Sequence, residues 1–90
     1  LMAFEEYEEA AKKFLKAIVL NNENQSESWY IYQTYIKLGT CYKALEKYEL
    51  AVKNLEKGKD LINNGVKDPD TKQKWLTIAN LFLEQILQLT

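Results

Sequence analysis

The 90-residue chain contains no histidine, no arginine, one cysteine and one proline. Each scarcity removes a class of function. Without histidine, and with Cys41 alone, zinc sites, Ser-His-Asp triads and Cys-His pairs cannot be assembled from this chain by itself. A disulfide framework is excluded for the same reason. All twelve basic residues are lysines, so no planar fork exists to grip a phosphate or carboxylate in two places. A formal net charge of −1 supplies no electrostatic argument for nucleic acid or an anionic membrane. The apolar runs are too short to span a bilayer. No charged-then-apolar leader opens the sequence, and it does not begin with methionine, which suggests an excised fragment or residual tag residues. A cytoplasmic location is the expectation, as are the absence of cofactors and of catalysis.

The residues that are present follow a helical period almost throughout, with no strand-like alternation. Phe4, Tyr7, Phe14, Leu15, Ile18 and Val19, with Ala10, Ala11 and Ala17 between them, predict a first helix over 4–20. Asn21 to Gln25 read as a connection, and a second helix is expected from about Ser26 to Ala44. Asn24 with Glu27 three residues on forms a capping-box-like start, with Ser26 as a rival cap. A third helix covers about Tyr48 to Asn63, ended by Asn64-Gly65, where Gly65 suits a left-handed position. Asp68 can cap a fourth helix whose first position is Pro69 and which runs to about Gln88.

Two stretches repeat. "YIKLGTCY" (Tyr35 to Tyr42) aligns without a gap on "WLTIANLF" (Trp75 to Phe82), forty residues later. "YEEAAKKFLKA" (Tyr7 to Ala17) aligns on "YELAVKNLEKG" (Tyr48 to Gly58), forty-one residues later. Two separate registers that agree to within one residue are hard to ascribe to chance. Gly39, inside a helical pattern, points to close helix contact. A glycine there costs roughly 1 kcal/mol of helix propensity relative to alanine. Opposite Ala51 it would let two antiparallel backbones approach. Ala79 and Ala10 are expected to play the same part in the last and first helices, and Cys41 to act as a small buried filler.

The pattern resembles the tetratricopeptide repeat (TPR) in a long-period variant. Tyr35, Leu38, Gly39 and Tyr42 match the first-helix motif W-x2-L-G-x2-Y, and Tyr48, Ala51, Leu55 and Gly58 match the second-helix positions. The resemblance implies an all-α fold of about four helices, in antiparallel hairpins stacked as an α-solenoid, forming a single domain or fragment over 1–90. Residues 26–64 would be one complete repeat, 4–20 the second helix of a preceding repeat, and 69–88 the first helix of a following or capping one. The sequence departs from the family at its terminal proline, replaced by Asn22 and Asn63, and at the late second-helix alanine, replaced by Gly58.

The resemblance also implies a non-catalytic protein-interaction module that holds a peptide or helix in a concave groove. The groove positions fall on Gln33, Ile36, Thr40, Lys43 and Ala44 in the second helix, and on Gln73, Leu76, Asn80, Leu83 and Glu84 in the fourth. The family's lysine, asparagine and arginine clamp for a terminal carboxylate is matched only by Asn80, so that partner is not carried over. A structural or self-association segment of a larger solenoid is one alternative. The peptide-sensing part of a bacterial regulator is another.

Other features have plainer readings. Glu5, Glu8, Glu9, Lys12, Lys13 and Lys16 are expected to form a solvated helix face rather than an acid–base site. Tyr30, Tyr32 and Tyr35 with Lys37 and Lys43 could stack on RNA bases. Repeat-core positions for Tyr35, Tyr42 and Tyr48, and lysines balanced by acids, argue against it. The expected partner is therefore a protein or peptide, with no nucleic acid and no membrane. In the fourth helix, Trp75, Ile78, Ala79, Phe82, Ile86 and Leu89 should pack on the third. Leu76, Leu83 and Leu87 form a second stripe, with Leu81 also apolar. That second stripe predicts a homo-oligomer through the C-terminal helix, or coverage by a further repeat or partner.

Overall fold

A computed structural model describes residues 4–23 and 31–89. These form four α-helices and, among the described residues, no strand: α1 (Phe4–Glu23), α2 (Ile31–Ala44), α3 (Tyr48–Gly65) and α4 (Pro69–Leu89). The Asn24, Ser26 and Glu27 capping expectation, and the expected start of α2 near Ser26, lie outside the described residues, as does Tyr30.

The helix order follows from where the chain can reverse. α2 closes with three backbone bonds: Leu45 N–H to the Cys41 carbonyl, Glu46 N–H to Lys43, and Lys47 N–H to Tyr42. The last two are the crossed pair of a Schellman cap, whose penultimate residue must turn left-handed. That residue is Glu46, at φ 62°. Gly65, expected to be the left-handed residue, is instead the final residue of α3 with no positive φ. The α3 exit uses extended Val66 (φ −88°, ψ 117°), whose N–H bonds the Ile62 carbonyl. α4 starts as its sequence suggests. Asp68 Oδ2 accepts from the Thr71 N–H at 3.0 Å and from the Thr71 hydroxyl at 2.6 Å, with Pro69 in the first turn.

α2 is the hub. It packs against α1 on one side, α3 on another, and also reaches α4, which in turn packs on α3. The α2–α3 hairpin is antiparallel and carries the tightest contact. A Cβ placed on Gly39 would sit 2.7 Å from Leu55 Cγ and 3.2 Å from the Ala51 carbonyl oxygen. On the facing helix, a Cβ on Gly58 would sit 2.7 Å from Ile36 Cγ1 and 3.4 Å from the Tyr32 carbonyl oxygen. Each glycine is thus a socket for a branched side chain of the other helix: Leu55 fills the space at Gly39, and Ile36 the space at Gly58. Leu38, Ala51, Leu55 and Ile62 are fully buried around this seam.

On the first helix the most buried small residue is Ala11, where Ala10 is expected. Ala11 and Ile18 are its buried residues; Ala10 is half-buried and Ala17 exposed. Tyr7, Ala10 and Phe14 pack half-buried beside Ala11 and Ile18, so the face turned inward is the expected one. In α4, Ala79 and Ile86 are buried, while Trp75, Ile78 and Phe82 pack half-buried against the core. Leu89, grouped with that stripe in the sequence, is exposed.

Candidate functional site

Ile36 is not available to a ligand. It is 1% exposed, with its Cγ1 seated against Gly58. Its place in the expected groove is corrected: the residue belongs to the α2–α3 seam, because the glycine opposite leaves a socket that only a branched side chain fills. The other expected groove residues are distributed differently. Gln33 is half-buried, and its Nε2 donates to the Tyr32 hydroxyl at 3.3 Å. Thr40, half-buried, returns its hydroxyl to the Lys37 carbonyl at 2.7 Å. Both amide and hydroxyl are thereby committed to their own helix. Lys43 lies with its Nζ 5.8 Å from the centre of the Phe82 ring, a cation–π contact that ties α2 to α4. Ala44 is half-buried. On α4, Gln73, Asn80 and Glu84 are exposed and Leu76 is half-buried.

Leu83 is the expected residue that does line a concavity. The groove lies between α3 and α4, with a volume of about 430 Å³. Tyr48 and Val52 from α3 and Leu83, Ile86 and Leu87 from α4 form its apolar surface. Exposed Glu49 and Glu56 border it, so every charge lining it is negative. Near the turn that joins the two helices, the Lys72 ammonium reaches the Asn63 carbonyl at 3.5 Å, and Ala79 is fully buried. α4 thus partly covers its second stripe: Leu76 and Leu83 are half-buried, while Leu87 is 75% and Leu81 51% exposed.

Sequence reasoning misses two contributors. Tyr48 reads there as repeat core and Val52 carries no signal of its own, yet both are half-buried and line this groove. Tyr32, a candidate for base stacking, is 1% exposed and meets Trp75 edge to face, with ring centroids 5.7 Å apart and planes at 77°. Its spacing from buried Ile36 and Gly39, at i+4 and i+7, is the signal that places it in the core.

Two ionisable groups are displaced from their ordinary behaviour. Burial pushes the Cys41 thiol up, away from the thiolate form that nucleophilic chemistry requires. The Thr71 hydroxyl and N–H hold the Asp68 carboxyl below its ordinary value, which fits a helix cap. Glu5, Glu8, Glu9, Lys12, Lys13 and Lys16 are all exposed. No group of three or more His, Cys, Asp or Glu among the described residues could hold a metal ion. Nor is any helix there long and apolar enough to cross a membrane. No protein-family model matches the chain, and no match emerges among curated proteins or solved structures.

Proposed function

We propose that the chain is a TPR-like, non-catalytic protein-interaction module that receives an amphipathic helix in the groove between α3 and α4. The observation that carries the reading is the groove itself. Its surface is apolar, it is open along two antiparallel helices, and Leu83 and Leu87 continue it outward. A helix laid into such a groove buries its own apolar stripe at i, i+3, i+4 and i+7 against those residues. The α2–α3 seam and the Asp68 cap support the reading by fixing α3 and α4 in place without the ligand, so little ordering is left to oppose binding.

The same observations shift the binding surface from the one expected by family resemblance. A groove across Gln33, Ile36 and Thr40 would need side chains that the fold already uses. The test uses a fluorescent synthetic helix with leucine at i, i+3, i+4 and i+7 and neutral glutamine flanks. Its anisotropy should rise on titration with the full chain. Leu83→Glu should weaken binding at least about tenfold by placing a charge against the buried leucines, and Leu87→Glu should do so at a position where folding is undisturbed. Binding unchanged by both substitutions, with helicity intact, would reject the groove.

A further inference from the structure

Resting on that reading, we infer that the occupant of the α3–α4 groove is α1 of a second copy of the chain, joined head to tail. The charges of the two surfaces carry the inference. Glu49 and Glu56 border the groove, and no lysine lines it. Two copies meeting groove to groove would bring four carboxylates together around an apolar patch, which disfavours a symmetric pair. The groove instead fits an apolar helix face flanked by lysines.

One stretch of the chain has that character. From Ala10 to Asn22 the only charged residues are Lys12, Lys13 and Lys16. Leu15 and Val19, one helical turn apart, are 42% and 51% exposed in the folded chain. Lys12 and Lys16 stand beside them on the solvent side of α1, since Ala11 and Ile18 face the core. The remaining helices offer no match. α2 carries only Lys37 and Lys43 but has no exposed large apolar side chain, α3 mixes Lys53 and Lys57 with Glu56 and Asp60, and the lysines of α4, Lys72 and Lys74, sit near its start, away from Leu83 and Leu87.

Such a contact uses different surfaces on its two sides, so it is heterologous and propagates copy by copy rather than closing as a simple pair. One groove and two helical turns make a small interface, so association is weak and concentration-dependent. It weakens with salt because its specificity lies in exposed charges.

The test uses the full chain at low ionic strength in analytical ultracentrifugation, with circular dichroism to confirm folding. Wild type should self-associate with rising concentration. Glu49→Lys with Glu56→Lys in one variant, and Lys12→Glu with Lys16→Glu in another, should each weaken association roughly tenfold. Mixing the two variants should restore it, because each then meets a partner of opposite charge on both faces. A chain that stays monomeric, an association that neither variant alters, or a mixture that gains nothing would overturn the inference. If the chain stays monomeric while the glutamine-flanked peptide still binds in a Leu83-dependent way, the groove reading stands and only the identity of its occupant fails. If neither copy nor peptide binds, both fall.

Discussion

Two side chains at the α2–α3 seam, Leu55 and Ile36, decide which substitutions the protein tolerates. Gly39→Leu would drive a side chain into Leu55 Cγ and the Ala51 carbonyl, where even a Cβ lies at 2.7 and 3.2 Å. It should cost roughly 1–3 kcal/mol through overpacking. Lys13→Leu, on the exposed face of α1, should change stability by less than about 0.5 kcal/mol. Paired thermal and urea melts compare them. Ile36→Glu should be far worse, about 4 kcal/mol or more, because it buries an unpaired charge and empties the socket at Gly58. Circular dichroism of that variant should show lost helicity; a folded Ile36→Glu chain would return the residue to the surface. At the α2 turn the sign reverses. Glu46 holds φ 62°, a conformation that costs an ordinary residue about 1–2 kcal/mol. Glycine adds roughly 0.4–1 kcal/mol of unfolded-state entropy, so Glu46→Gly should stabilise by about 0.5–1 kcal/mol in a chemical melt.

Each helix is only as secure as its ends and its packed faces. α4 depends on the Asp68 cap, whose carboxylate accepts two hydrogen bonds from Thr71. Those bonds favour the charged form, so the folded carboxyl binds its proton less tightly than the unfolded one. The cap therefore contributes above the unfolded value, ordinarily about 3.9. It is lost as pH falls through the lowered folded value. Stability should decline on acidification below about pH 4, and Asp68→Ala should remove that part of the decline. Urea midpoints from neutral to strongly acid pH measure it. The helices also differ in their support. α3 is held on one side by α2 and on another by α4, whereas among the described residues α1 packs on α2 alone. Amides of α1 should thus exchange through local opening at lower free energy than those of α2 and α3. Hydrogen-exchange mass spectrometry resolves the order, and equal protection across the three helices would contradict it.

At the scale of the whole molecule, helix content and the α2–α3 and α3–α4 connections were legible in the sequence, whereas α1 runs on to Glu23 through Asn21 and Asn22, which read as a connection. The 3.6-residue period, the Asp68-Pro69 start and the break after Ala44 each act through neighbours a few residues away. The close approach at Gly39 was legible too, because a glycine inside a helical pattern weakens the helix unless a neighbour needs the space. The packed faces of α3 and α4 were legible as well, with Ala51, Leu55, Gly58, Ala79 and Ile86 buried as the period predicts, but two finer placements were not. Ala11 rather than Ala10 is the buried alanine of α1, and Ile36 rather than an open groove meets Gly58. Both outcomes depend on how closely and at what angle two helices dock, which neighbours along the chain do not set. The left-handed turn fell on Glu46 instead of Gly65 for a related reason. Lys47 and Glu46 must donate to carbonyls of the last turn of α2, and that geometry outweighs the residue's own preference. Local chemistry along the chain thus determined four helices and the start of α4 at the Asp68 cap. Tertiary packing alone decided that Leu83 and Leu87 would border a groove with Tyr48 and Val52. That outcome brings together residues about thirty positions apart in sequence, such as Val52 and Leu83, and no local pattern along the chain encodes their meeting.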